Sequence, residues 1–121
     1  MSKRKILVID DEPYLVMALK IRLENVGYDV ITASDGVEGL DKAQGENPDL
    51  IVLDVMMPKK SGYQVCQILK SDDQYKHILI IMLTAKGQKS DKEWGEKVGA
   101  DAYITKPFDD AELLSKINEL L

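Results

Sequence analysis

Three wholly apolar runs stand out along the chain: Ile6-Leu7-Val8-Ile9, Leu50-Ile51-Val52-Leu53 and Ile78-Leu79-Ile80-Ile81-Met82-Leu83. Their lack of polar alternation is the signature of strands buried on both faces. Two further stretches, 28–33 and the shorter Ala102-Tyr103-Ile104, also read as strands. Between the strands the apolar period lengthens to that of a helix. Leu15, Leu19, Leu23 and Val26 recur after Pro13, a residue suited to a first helical turn, and stop at Gly27. Asp35-Gly36 turns the chain into a second helix carrying Val37, Leu40, Ala43 and Gln44, which Gly45 should close. Ser61 can cap a third helix bearing Val65, Cys66, Ile68 and Leu69. Ser90-Asp91-Lys92-Glu93 has the form of a capping box for a fourth helix, presenting Trp94 and Val98 and ending at Gly99. A fifth follows Asp109, with Phe108 and Leu113 as a hydrophobic staple and Leu113, Ile117, Leu120 and Leu121 as its apolar stripe. Strands alternating with helices predict an α/β fold: one parallel sheet covered on both faces by right-handed crossovers.

The central run ends abruptly in an acid, Asp54, and Pro58 then prevents simple continuation of the strand. In a parallel sheet all carboxyl ends share one edge, where ligand crevices form. Reading those ends in turn gives Asp10-Asp11-Glu12, Asp54, Thr84 and Lys106. Each has an ordinary explanation alone. The acids complement a helix N-terminus, the threonine caps a strand, and the lysine is solvated. Their convergence on one edge is what points to chemistry. Crowded carboxylates repel, and a divalent cation relieves the repulsion. An all-oxygen donor set with few protein ligands suits Mg²⁺. A carboxylate beside that ion is a nucleophile for phosphorus, with Lys106 and Thr84 as the charge and hydroxyl donors that phosphoryl transfer needs.

Composition narrows the picture. The chain has 121 residues, one domain's worth, with 45% hydrophobic and 31% charged residues, as in an ordinary soluble protein. A formal net charge of −5 argues against a nucleic-acid surface. Cys66 is the single cysteine, which excludes an internal disulfide and a cysteine-based zinc site and fits a reducing cytoplasm. No apolar run approaches membrane-spanning length, and no signal peptide is evident. Cys66 reads as a small helical hydrophobe, and His77 as a surface residue.

Ile9-Asp10-Asp11-Glu12, the Leu53-Asp54-Val55-Met56-Met57-Pro58 segment through Gly62, Leu83-Thr84-Ala85, and Tyr103-Ile104-Thr105-Lys106-Pro107-Phe108 together resemble the receiver domain of two-component response regulators. The resemblance covers essentially the whole chain and implies a single receiver unit, 1–121. It implies the flavodoxin-like (βα)5 three-layer sandwich with strand order 2-1-3-4-5. By the same resemblance Asp54 is the phosphoacceptor, charged from a phosphohistidine on a sensor histidine kinase or phosphotransfer protein. Asp11 ligates Mg²⁺ directly, Asp10 largely through water, and the Met56 carbonyl is a further ligand beside Asp54. Lys106 pairs with Asp54 and then with the phosphoryl oxygens, and Thr84 hydrogen-bonds the phosphoryl group. Lys106-Pro107 is a cis peptide. Tyr103 is the switching aromatic, turning inward as Thr84 moves and altering the surface of the last strand and last two helices. That surface is the expected route to an output partner, or to a dimer on phosphorylation. Met56 and Lys86 flank the acceptor and tune the phosphate's lifetime, while small Ala85 leaves the pocket open. Ser61 departs from the acid that many receivers carry before the glycine, which bears on partner choice.

Other functions fit less well. A flavin mononucleotide carrier needs a hydroxyl- and amide-rich first loop, where this chain has three acids. Aspartate-based phosphatases place a second acid two residues after the nucleophile, where Met56 stands. Neither G-x-x-x-x-G-K-[ST] nor G-x-G-x-x-G occurs, which disfavours nucleotide binding. A purely structural adaptor is the runner-up.

Overall fold

The computed structural model describes residues 3–57, 59–85 and 99–121. Five parallel strands form one sheet in the order β2-β1-β3-β4-β5, where β1 is Lys5–Ile9, β2 Asp29–Ala33, β3 Leu50–Asp54, β4 Leu79–Ala85 and β5 Ala102–Lys106. The helices are α1 Pro13–Asn25, α2 Gly36–Glu46, α3 Gly62–Lys70 and α4 Asp110–Leu120. This is the doubly wound, flavodoxin-like order expected from the sequence. The helix expected after Ser90, with Trp94 and Val98, and the residues Lys86 and Pro58 lie outside the described residues.

Strand periodicity divides the core into two layers. Ile6, Val8, Leu50, Val52, Ile81, Leu83 and Ile104 project toward Leu19 and Leu23 of α1 and Leu113 and Ile117 of α4. Leu7, Ile9, Ile51, Leu53, Ile80 and Met82 project the other way, toward Ala43 of α2 and Val65, Cys66 and Leu69 of α3. Alternate residues of one strand therefore feed opposite layers, which explains why β1, β3 and β4 have no polar alternation. Residues 6–9 and 50–53 have no exposed surface. At roughly 25 cal/mol per Å² of buried apolar surface, this is the dominant favourable term in the fold.

Local signals set the helix ends. Pro13 opens α1, and Gly27 at φ 104° ends it. Asp35 caps α2 by accepting from the Glu38 amide at 2.8 Å. Ser61 and Gln64 form a complete capping box on α3. Phe108 packs against the layer containing Leu113, while the Asp109 carbonyl accepts from the Glu112 and Leu113 amides.

Several boundaries differ from expectation. Gly45 does not close α2, which runs to Glu46 and ends at Asn47 in the left-handed region, φ 49°. A short polar side chain tolerates that conformation nearly as well as glycine does. Tyr28 and Ile78 precede their strands, and β5 continues to Lys106. Val26, Val37 and Ile68 sit on expected apolar stripes yet are 55%, 44% and 37% exposed.

Two glycines have opposite structural weights. A Cβ on Gly62 would stand 2.2 Å from the Asp54 carbonyl oxygen, whereas one on Gly45 meets nothing within 4 Å. Gly62→Ala should therefore lower unfolding free energy by about 1–3 kcal/mol through overpacking. Gly45→Ala should raise it by about 0.5–1 kcal/mol. Urea denaturation followed by circular dichroism reads both changes.

Candidate functional site

The strand register brings the sequence-predicted polar residues to one edge. Ile9 pairs with Leu53, Asp54 with Leu83, and Ala85 with Lys106. Asp10 thus leaves β1 beside the end of β3, and Lys106 ends β5 on the same side of the sheet. Backbone bonds from the Asp10 amide to Ala33 and from the Val55 amide to Leu83, each 3.2 Å, carry the ladder to this edge.

Asp10 is nearly fully buried and uses its two oxygens differently. Oδ1 accepts from the Glu12 amide at 3.0 Å, tightening the turn into α1. Oδ2 accepts from Lys106 Nζ at 2.9 Å. The helix-start explanation of the acidic run therefore accounts for one oxygen, and the site takes the other. Asp54 is buried as well, with Oδ1 3.3 Å from the Met56 amide and Oδ2 3.6 Å from Lys106 Nζ. Lys106 also reaches Glu12 Oε1 at 3.3 Å. Asp11 is exposed at the rim. An open crevice of about 560 Å³ connects Asp11, Asp54, Met56 and Lys106 to solvent. The Lys106-Pro107 peptide is cis.

Thr84 is buried one residue beyond the Asp54–Leu83 pair. Tyr103 is half-buried and packs against the layer that contains Met82, its partner across the β4–β5 ladder. Thr84 shares the strand face of Met82, so the threonine and the tyrosine lie on one side of the sheet.

The charges do not balance. Among the described residues, Asp10, Asp11 and Asp54 each offer a carboxylate oxygen, and these oxygens lie within 4.8 Å of one another. Burial, and then the negative charge of Asp10, push the Asp54 carboxyl up to about 6; Lys106 and the Met56 amide oppose this, and Asp11 adds to it. For Lys106 burial disfavours the ammonium, but the Asp10 hydrogen bond and the charges of Asp54, Asp10 and Glu12 outweigh it and raise its pKa. Among the described residues one ammonium, that of Lys106, faces these carboxylates, which leaves an excess of negative charge. Oxygen-only donors at this spacing fit a hard divalent metal ion.

Sequence reasoning grouped Glu12 with the acidic run but missed its contact with Lys106. The only available signal was its place in that run. It also missed the close approach of Gly62 to the Asp54 backbone, which no local pattern encodes.

Comparisons with known proteins agree with this geometry. Residues 6–118 match the response regulator receiver domain family. The chain is 52% identical over 118 residues to the alkaline phosphatase synthesis transcriptional regulatory protein PhoP of Bacillus subtilis, covering 98% of this chain and 48% of that protein. It thus spans about half the length of the curated relatives it matches. The structure superposes on the Vibrio cholerae chemotaxis protein CheY4 with a TM-score of 0.92 at 35% identity, covering 99% of this chain and 100% of that one. It also matches the receiver domain of the sensor histidine kinase PA1611 from Pseudomonas aeruginosa, whose structure has a magnesium ion coordinated in its active site cleft. There the TM-score is 0.88 at 27% identity, over 98% of this chain and 97% of that one. With its sheet order, its edge of acids facing a lysine and a match over nearly its full length, the chain belongs to the receiver domains of two-component response regulators.

Proposed function

We propose that this receiver, residues 1–121, accepts a phosphoryl group on Asp54 from a phosphohistidine of a sensor histidine kinase or phosphotransfer protein. The observation that carries the reading is the position of Lys106 Nζ, 2.9 Å from Asp10 and 3.6 Å from Asp54, above three carboxylates that share a 4.8 Å neighbourhood. In the transfer an Asp54 oxygen forms the bond to phosphorus. The phosphorus–nitrogen bond breaks, and its electron pair stays on the donor imidazole. Lys106 offsets negative charge on the transferring oxygens, and the Thr84 hydroxyl donates to one of them. Asp11, Asp54 and the Met56 carbonyl, with Asp10 largely through water, would hold Mg²⁺, which neutralises phosphoryl charge when bound. The donor reaches the crevice past α1, where Tyr14, Met17 and Ile21 are exposed.

The chain is a signalling domain that catalyses only its own phosphorylation and dephosphorylation. The new charge, roughly −1.5 to −2, draws Thr84 toward the phosphate, and Tyr103 fills the space it leaves. The changed β5 and α4 surface then engages an output partner or a second copy. Relatives such as PhoP are transcriptional regulators, so the output is a regulatory domain or protein. The receiver itself does not contact nucleic acid, and it works in the cytoplasm. No helix among the described residues is long and apolar enough to cross a membrane.

Incubation with acetyl phosphate and Mg²⁺ should add the mass of one phosphoryl group, and Asp54→Asn should abolish the adduct. An intact Asp54→Asn adduct, or none on the wild type, contradicts the assignment. Thr84→Ala should still bind beryllofluoride, yet lose the change in the Tyr103 ring environment that the wild type shows by NMR.

The carboxylate crowding also sets a pH dependence. Asp54 has a raised pKa, from 3.8 to about 6, so the metal-free folded state binds more protons than the unfolded chain across that window. Stability should therefore fall as pH rises from about 4 through 6 and change little from this source above it. Lys106, whose pKa is also raised, gives the same slope in a higher window: its stabilising contribution is complete below its ordinary 10.5 and is lost as pH rises beyond it. Asp54→Asn should stabilise the metal-free protein at pH 7 by about 1–2 kcal/mol, allowing for solvent screening in the open crevice. Millimolar Mg²⁺ should raise the wild-type melting temperature by linkage, and raise that of Asp54→Asn less. Calorimetric melts at pH 5 and pH 7, with and without Mg²⁺, check all of these signs.

A further inference from the structure

Gly36 opens α2 and is buried, yet its helical backbone does not call for glycine. Space does. A Cβ there would stand 2.0 Å from the Lys60 carbonyl oxygen and 2.7 Å from its carbonyl carbon. Lys60 belongs to the loop that leaves Asp54 and carries Met56. The same corner holds that loop a second way: Asp35 caps α2 through Oδ1, while Oδ2 lies 3.3 Å from Lys59 Nζ. Lys59 has a left-handed φ of 68°, a conformation that costs a side-chain-bearing residue about 1 kcal/mol and persists only where its surroundings enforce it. At the loop's far end the Gly62 amide donates to the Val55 carbonyl at 3.1 Å.

One turn further along α2, Gly39 makes room for Ile9. A Cβ there would meet Ile9 Cδ1 at 2.5 Å, and Ile9 immediately precedes Asp10. A single helix thus seats against both acid-bearing segments: against the Ile9 side chain at the tip of β1 through Gly39, and against the backbone of the Asp54 loop through Gly36. Lys59 is 65% exposed, so its ion pair contributes little, and the backbone contact at Gly36 dominates.

We infer that the Asp35-Gly36 corner is a positioning element for the acceptor site. It sets the path of the loop between Asp54 and Gly62, and so the placement of the Met56 carbonyl relative to Asp10 and Asp54. Gly36 touches neither metal nor phosphate; it acts through the Lys60 backbone. The inference rests on the phosphoacceptor reading above.

Isothermal titration of Mg²⁺ into wild type, Gly36→Ala, Asp35→Asn and Gly45→Ala tests it, with amide NMR of Val55 and Met56 alongside. Gly36→Ala should bind Mg²⁺ about tenfold more weakly, the usual effect of disturbing a ligand's support, with both amide resonances displaced. Asp35→Asn keeps a capping oxygen but loses the charge, and should weaken binding about twofold. Gly45→Ala, on the same helix but facing open space, should match the wild type. Wild-type affinity and undisplaced amides in Gly36→Ala overturn the inference. If that variant does not fold, wild-type affinity in Asp35→Asn overturns it instead. Absence of Mg²⁺ binding by the wild type sinks the phosphoacceptor reading and the inference together, whereas wild-type binding with an unaltered Gly36→Ala sinks the inference alone.

Discussion

The structure depends on a repulsion that it does not relieve by itself. Asp10 and Asp54 are buried beside each other, Asp11 stands at the rim, and among the described residues one ammonium, that of Lys106, faces them. A fold selected for stability alone would not place two carboxylates nearly out of water within reach of a third. The arrangement leaves a deficit of positive charge and an excess of oxygen donors at one point. On the proposed function, a cation would take the carboxylates and a phosphoryl group would take the lysine.

The rest of the chain makes that point tolerable and rigid. Two apolar layers lock the register of β1, β3 and β4, so the acids cannot slip along their strands without turning core residues outward. Asp10 is held by both of its oxygens, one on the Glu12 amide and one on Lys106. The loop after Asp54 is pressed at both ends, by Gly36 against Lys60 and by Gly62 against the Asp54 carbonyl. Charge is concentrated where the backbone is best supported, so a local electrostatic event can be passed to neighbouring strands rather than absorbed by slack. Thr84 and Tyr103 lie on one face of adjacent strands at this edge.

Much of this was legible in the sequence, for a physical reason. Strands buried on both faces must be continuously apolar, so the residue at which the run stops marks the sheet edge directly. Ile9, Leu53 and Leu83 announce Asp10, Asp54 and Thr84 in this way, and parallel topology does the rest. Contacts that depend on how closely two backbones pass left no such mark. The need for glycine at 36 comes from Lys60, and at 62 from Asp54, through approaches that no periodicity encodes. The end of α2 was misplaced because Gly45 and Asn47 both suit a left-handed stop, and the chain uses the asparagine. Val26, Val37 and Ile68 fell on apolar stripes that are wider in sequence than the surface each helix buries.

The most direct test of the central claim is the titration of the Asp54 side-chain carboxyl carbon by NMR, first without metal and then with saturating Mg²⁺. The account predicts a metal-free midpoint near 6, well above the ordinary 3.8, that falls sharply once the ion is present. A carboxyl that titrates in the ordinary range and ignores Mg²⁺ would contradict it, because the crowding on which the site rests would then be absent.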